Sequence, residues 1–268
     1  MFLTKTAFLL IAATAVWAQD SSDRVTVPFS DPSGAKRVTC ALVHGSITVK
    51  AHNAKEAIIE GKSRNGRTSR SQPPPGMRRI GGSTSGFTVE ESGNQIKISA
   101  GPPSSATDIT IYVPTDTSVK LNTVNSGNIT VEGISGEIDV NNLNGNISVT
   151  NVSGAVVAHT LNGKLIVSLN QITPNKAMSF STLNGNVDVT LPADTKANLK
   201  MKSENGDIFS DFEITLKPTS QPAPQETRTA DGKRYRVRFD KAMYGAINGG
   251  GPEMQFTTLN GTIFIRKK

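Results

Sequence analysis

The sequence predicts an all-β protein: a single elongated β-solenoid, or β-helix-like, domain of stacked short strands with about 18 residues per coil in its central block. Three observations carry this. Between Val124 and Ser168, glycine recurs every nine residues, at Gly127, Gly136, Gly145, Gly154 and Gly163. Counting from each glycine, the second, fourth and seventh places are aliphatic in fourteen of fifteen cases, ending in Ile134, Leu143, Val152 and Leu161, with Asn170 the exception. These fourteen are expected to point inward, because twelve of the fifteen residues at the first, third and fifth places are polar or charged. Finally, two turn types alternate. Leu143-Asn144-Gly145 and Leu161-Asn162-Gly163 stand eighteen apart, as do Ile134-Ser135-Gly136 and Val152-Ser153-Gly154. One coil is therefore two strands and two different corners, and Asn and Gly both tolerate the positive φ that a sharp corner demands.

The chain in order supports this. Residues 1–18 read as a signal peptide: Lys5 supplies the positive start, Ala7 to Val16 the apolar core, and Val16-Trp17-Ala18 a small-residue cleavage pattern. Residues 19–268 form the β-solenoid domain. Val25–Phe29, Arg37–Val43, Ser46–Lys50 and Ala57–Glu60 are expected strands, and His44-Gly45-Ser46-Ile47-Thr48-Val49 is an early copy of the repeat. Residues 63–86 interrupt it with a basic insertion rich in Pro, Gly and Ser. Strands resume at Phe87–Glu90, Gln95–Ser99, Asp108–Val113 and Val119–Leu121. After the regular block the unit returns at Asn184-Gly185, Asn205-Gly206 and Asn260-Gly261, with a Pro-rich insertion at 217–233 and alternation at Arg234–Phe239. Structural turns are thus assigned to Gly127, Gly136, Asn144, Gly145, Gly154, Asn162, Gly163, Asn184, Gly185, Asn260 and Gly261. In this reading the terminal coils are exposed, and the closing Arg266-Lys267-Lys268 discourages edge-to-edge pairing.

Composition limits the chemistry. Cys40 is the sole cysteine, so no disulfide holds the chain, and its apolar neighbours point to a buried, inert thiol. Without Lys5 there are 28 basic and 22 acidic residues, and six of the basic ones lie in one segment with no acid between Gly61 and Val89. Those six are Lys62, Arg64, Arg67, Arg70, Arg78 and Arg79. The remaining charge balances, so the positive field belongs to one loop. No stretch after the leader reaches transmembrane length.

The whole mature chain resembles DUF4097, a bacterial family of adhesin-like β-strand repeat proteins. The resemblance rests on the order of parts over about Val25 to Arg266. A Gly-Ser-Ile-Thr-Val unit comes first, then Ile109-Thr110-Ile111-Tyr112-Val113-Pro114, stacked Asn/Ser-Gly-x-Ile-x-Val units, and the closing Phe256-Thr257-Thr258-Leu259-Asn260-Gly261-Thr262-Ile263. It implies a solenoid-like fold at the cell envelope and supplies no catalytic residues.

The residues offer few sites. Calcium-binding β-rolls need aspartates at the turns, whereas these corners carry Asn and Ser, with Asp139 and Asp188 on outward strand positions. A polysaccharide lyase or hydrolase would need clustered carboxylates. The outward acids Glu132, Glu137, Asp139, Asp188, Glu204 and Asp207 are what any solvated face carries, and a concave cluster of them would favour an enzyme over a scaffold. His44, His52 and His159 lack metal-ligand spacing. No cofactor is expected. The basic loop is the candidate anion-binding element, suited to an anionic envelope glycan or lipid. Without interleaved aromatics, nucleic acid is not expected. Val157 and Ile166 are outward aliphatics that another segment, such as Arg234–Phe239, would cover. The expectation is a non-enzymatic exported scaffold or adhesin-like module, periplasmic, surface-bound or extracellular, with a polysaccharide-acting enzyme as the alternative.

Overall fold

The computed structural model describes residues 23–64, 86–100, 106–217, 225–228, 235–238 and 242–268; residues 1–22, most of the basic insertion and parts of the Pro-rich one lie outside these. The described residues form strands and turns, and no helix among them is long and apolar enough to cross a membrane. The first strands are β1 (Asp23–Pro28), β2 (Arg37–His44), β3 (Ile47–His52), β4 (Glu56–Ser63), β5 (Phe87–Ser92), β6 (Gln95–Ala100) and β7 (Thr107–Pro114). The regular block holds β8 (Ser118–Asn125), β9 (Ile129–Glu132), β10 (Ile138–Asn144), β11 (Ile147–Ser153), β12 (Val156–Asn162) and β13 (Leu165–Gln171). Then come β14 (Met178–Asn184), β15 (Val187–Leu191), β16 (Ala197–Asn205), β17 (Ile208–Ser210) and β18 (Thr215–Leu216). Last are β19 (Gln225–Arg228), β20 (Tyr235–Arg238), β21 (Met243–Ile247), β22 (Glu253–Asn260) and β23 (Ile263–Lys267).

Two long sheets face each other. One runs β1-β4-β7-β3-β9-β11-β13-β15-β23-β17, the other β18-β21-β16-β22-β14-β12-β10-β8-β2-β6-β5. Each coil gives one strand to each wall, and adjacent coils pair in parallel, Ile138 beside Val156 and Ile147 beside Leu165, eighteen residues on. Antiparallel strands close the stack: β1 and β4 on one wall and β5 on the other at one end, β21 and β18 at the other end. The core is the single layer between the walls, where Phe180 and Phe256 meet at 5.2 Å between ring centroids.

The coils are not stacked in sequence order. From end to end they run β6–β7, β2–β3, β8–β9, β10–β11, β12–β13, β14–β15, β22–β23, β16–β17. The early repeat copy is therefore inserted between two later coils, and the last one is inserted beneath β16–β17. This corrects the expectation that the closing residues guard a terminal coil; the exposed edge at that end of the first wall is β17. β23 lies inside its sheet, with Ile263 paired to both Val187 and Ile208, and Arg266 needs no edge-guarding role because it sits beside Thr190. In the second insertion, β19 and β20 pair with each other in a separate two-stranded sheet, and Ile166 remains exposed.

The Asn–Gly corner explains another difference. Of the fourteen aliphatics expected to point inward, twelve are buried, but Leu143 and Leu161 are 41% and 37% exposed. The inward place just before each is taken by Asn142 or Thr160. The cause is the glycine carbonyl of the preceding coil, which needs a donor inside the corner. Thr160 Oγ1 donates to Gly145 O at 2.9 Å, Thr182 Oγ1 to Gly163 O at 3.1 Å and Thr258 Oγ1 to Gly185 O at 3.0 Å. With period two along a strand, the next residue must face out. Val43, Val124, Leu143, Leu161, Leu183 and Leu259 accordingly form an exposed aliphatic stripe. At the opposite corner, Asn151 takes a left-handed φ of 55° and a bulge interrupts β11, so Val152 returns to the core; in β13, Leu169 is buried where the nine-residue count placed Asn170.

Glycine at the corner is a matter of space. A Cβ on Gly163 would lie 2.2 Å from Gly145 O. Outside this column the Asn amides form a ladder: Asn162 Nδ2 donates to Asn144 Oδ1 at 2.8 Å, Asn184 to Asn162 at 2.7 Å and Asn260 to Asn184 at 2.7 Å.

Two substitutions test the inner ladder. Thr182→Val leaves a buried carbonyl without its donor and should cost about 1–3 kcal/mol. Asn142 is the odd member: its Nδ2 reaches Gly127 O, but its Oδ1 is buried without a partner. Asn142→Thr should therefore gain about 1 kcal/mol. Urea denaturation reads both, and a destabilised Asn142→Thr would contradict this account of the corner.

Candidate functional site

The basic insertion is only partly within the described residues. Arg67, Arg70, Arg78 and Arg79 lie outside them. Lys62 is exposed in β4. Arg64, just past that strand, is committed to the fold: Nε donates to Asp108 Oδ2 at 2.8 Å, one terminal nitrogen donates to Ser46 Oγ at 2.7 Å, and the other donates to the Ser126 carbonyl. It clamps the corner of the β2–β3 coil to β7 and to the turn after β8. Arg64 is thus an anchor where the loop leaves β4.

Of the outward acids, only Glu137 and Asp139 share a surface depression, and both are ion-paired. Glu137 pairs with Lys176 at 3.0 Å, Asp139 with Lys120 at 3.1 Å, and Asp188 with Arg266 at 2.8 Å, each cation coming from another coil. Glu204 pairs with Lys202 at 3.0 Å on the same strand, Glu132 stands in register between Lys50 and Thr150, and Asp207 accepts the Ile263 amide through its backbone carbonyl. Among the described residues there is no group of three or more His, Cys, Asp or Glu able to hold a metal. Part of the outer face of the first sheet bears a row of hydroxyls, which gives way to Ile166, Asp188 and Phe264 further along. Thr110, Thr48, Thr130 and Ser148 line up across β7, β3, β9 and β11.

The assigned turn residues fall at two corners. Gly127, Asn144, Gly145, Asn162, Gly163, Asn184, Gly185, Asn260 and Gly261 lie along the Asn–Gly corner, and Gly136 and Gly154 stack at the Ser–Gly corner. Cys40 is buried in β2, and burial pushes its thiol up to about 12, leaving it without thiolate chemistry. His52 Nε2 contacts the Glu56 carbonyl at 2.8 Å, and His44 sits at the Gly45 corner.

The nine-residue count missed one constellation. His159, half-buried and outward on β12, contacts the Ser181 hydroxyl on β14 through Nδ1. Burial holds its imidazole below the ordinary 6.5, and the Asp139 carboxylate pulls the other way. A hydrolytic pair needs a carboxylate orienting the imidazole. Asp139 is occupied elsewhere, accepting from Asn141 Nδ2 at 2.9 Å and pairing with Lys120. Because the folded state resists protonating His159, the unfolded chain takes up the proton first as pH falls below about 6.5, and stability drops through that window until the folded imidazole titrates. His159→Gln should flatten the decline in melting temperature between about pH 7 and pH 5. Parallel slopes for the two proteins would show that His159 does not titrate differently on folding.

Two solved structures resemble the chain over 92% of its length. One is a candidate cell adhesion protein from Clostridium sporogenes ATCC 15579, at 12% identity, 99% coverage of that chain and a TM-score of 0.43. The other is a candidate adhesin from Bacteroides fragilis NCTC 9343, at 10% identity, 97% coverage of that chain and a TM-score of 0.40. No curated protein matches. The family model for Toastrack DUF4097 matches residues 104–241, just over half of the chain. The chain belongs to the Toastrack DUF4097 family.

Proposed function

We propose that this protein is a non-enzymatic, adhesin-like β-repeat module of the cell envelope, which presents an outer surface to a ligand instead of enclosing a substrate. The observation that carries this reading is the fate of the outward acids. Glu137, Asp139 and Asp188 are each tied to a cation of another coil, which suits a rigid display surface, and Glu137 and Asp139 stand side by side at the start of β10 instead of facing each other across a groove. The row of hydroxyls from Thr110 to Ser148 on the first sheet fits the same role. The basic segment around Arg67, Arg70, Arg78 and Arg79 supplies cations suited to anionic glycan or lipid headgroups. Residues 1–18 would direct export, with the mature chain starting at Gln19.

The alternative, a polysaccharide-acting enzyme, draws on the His159–Ser181 contact alone and predicts that Ser181→Ala abolishes depolymerisation of a glycan substrate.

The adhesin-like reading is tested by a screen against acidic glycans and anionic vesicles at low and high salt, on the protein and on a variant with residues 65–85 replaced by a short Gly/Ser linker, which spares Arg64. The expected result is binding that weakens at least about tenfold on raising salt from about 50 to 300 mM. The loop's part in it predicts a further loss in the variant. Salt-insensitive binding, or turnover of any glycan, would count against the reading.

A further inference from the structure

The outer face of the second sheet carries a cleft of about 300 Å³ where β8, β10, β12 and β14 begin. Its origin is in the sequence. The row of residues at the strand starts, Glu137, Ala155 and Ala177, falls from a long side chain to two methyl groups, opening a depression beside Val157. The coil linking β13 to β15 is longer than its predecessor: Leu165 pairs with Val187, twenty-two residues on, where Ile147 pairs with Leu165 after eighteen. The extra residues carry Lys176, which reaches past the Ala155 coil to Glu137 at 3.0 Å. Lys120 and Asp139, joined at 3.1 Å, line the cleft one step further along β8 and β10. Arg37, at the start of β2, also lines the cleft, and its guanidinium makes no hydrogen bond or ion pair among the described residues.

We propose that this cleft is a binding site for an acidic saccharide, with the sugar carboxylate held by Arg37. The volume is at the low end of small-ligand sites, suited to one or two sugar rings. A free guanidinium presents a planar fork of donors that matches a carboxylate in two-point geometry. Glu137 and Asp139 each keep acceptor capacity beyond their ion pairs, which sugar hydroxyls fill as donors. Val157 and Ala155 offer an apolar floor for the C–H face of a ring. The three cations and two carboxylates of the lining leave one positive charge over, matching one carboxylate per ligand. A simple inorganic anion would find the two carboxylates repulsive, and a neutral sugar would leave Arg37 unmatched.

This site rests on the adhesin-like reading but places recognition on the rigid wall, apart from the basic loop. Calorimetric titration of the full chain with a trimeric galacturonate, with a neutral galactose trisaccharide and with inorganic phosphate tests it. Saturable binding is expected for the galacturonate alone. Arg37→Gln, on an exposed side chain, should weaken it about tenfold or more, and Ala155→Leu should block the cleft with the melting temperature unchanged. Replacement of residues 65–85 should leave it intact. Equal binding of the neutral sugar or of phosphate, or binding that survives both cleft variants, would overturn the proposal. Acidic-glycan binding lost with residues 65–85 but kept in Arg37→Gln would remove the cleft and leave the loop reading standing. Absence of binding to any glycan or vesicle would remove both.

Discussion

Backbone meets backbone at the Asn–Gly corner, and the rest of the structure depends on how closely. The space that a Cβ would fill on Gly261 is 1.9 Å from Gly185 O, and on Gly163 it is 2.2 Å from Gly145 O. No side-chain carbon fits at such a distance, so the corner can close at strand spacing only through glycine. Once it closes, the glycine carbonyl is shut away from water, and Thr160, Thr182 or Thr258 must turn inward to satisfy it. That inward turn sends the following leucine out and sets the asparagine where its amide meets the one above. A single steric requirement thus dictates a four-residue motif and the chemistry of an entire edge.

Much of the architecture was legible because this requirement acts on the backbone, where only one residue type meets it. The nine-residue glycine period, the two alternating corners and the eighteen-residue coil all follow from it. The phase beyond the corner was less visible. Apolar periodicity assigns Leu143 and Leu161 to the core because it counts side chains and not carbonyls, yet the threonine before Leu161 already marked the demand. Coil order was not legible at all. The copies at His44-Gly45 and Asn260-Gly261 look like their neighbours, and likeness says that units stack without saying between which two.

The functional surface was harder to foresee for a related reason. Arg64 reads as one more cation of a basic loop until Asp108, forty-four residues away, is brought beside it by the pairing of β4 with β7. Glu137 and Lys176 are thirty-nine residues apart and meet only because one coil is four residues longer than the last. Exposed pairs of this kind add little stability. Their larger effect is to cancel charge over most of the wall, so that what is left uncancelled defines what the surface can recognise. Sequence can count charges; the stacking decides which of them are spent on each other.

The insertion of β22–β23 between β14–β15 and β16–β17 has a temporal consequence. A ribosome delivers β16 and β17 before the strands they lie against exist, so this end of the stack cannot assemble progressively behind the growing chain. β2–β3 waits in the same way for β8–β9, whose residues follow some eighty positions later. Long-range closures of this kind are slow, and they make completion of the fold a late, concerted event instead of a coil-by-coil accretion. Once made, the same interlocking protects the molecule. A strand pinned on both sides cannot peel away from its end of the chain, so disassembly must start at the sheet edges, in the antiparallel caps or at β17.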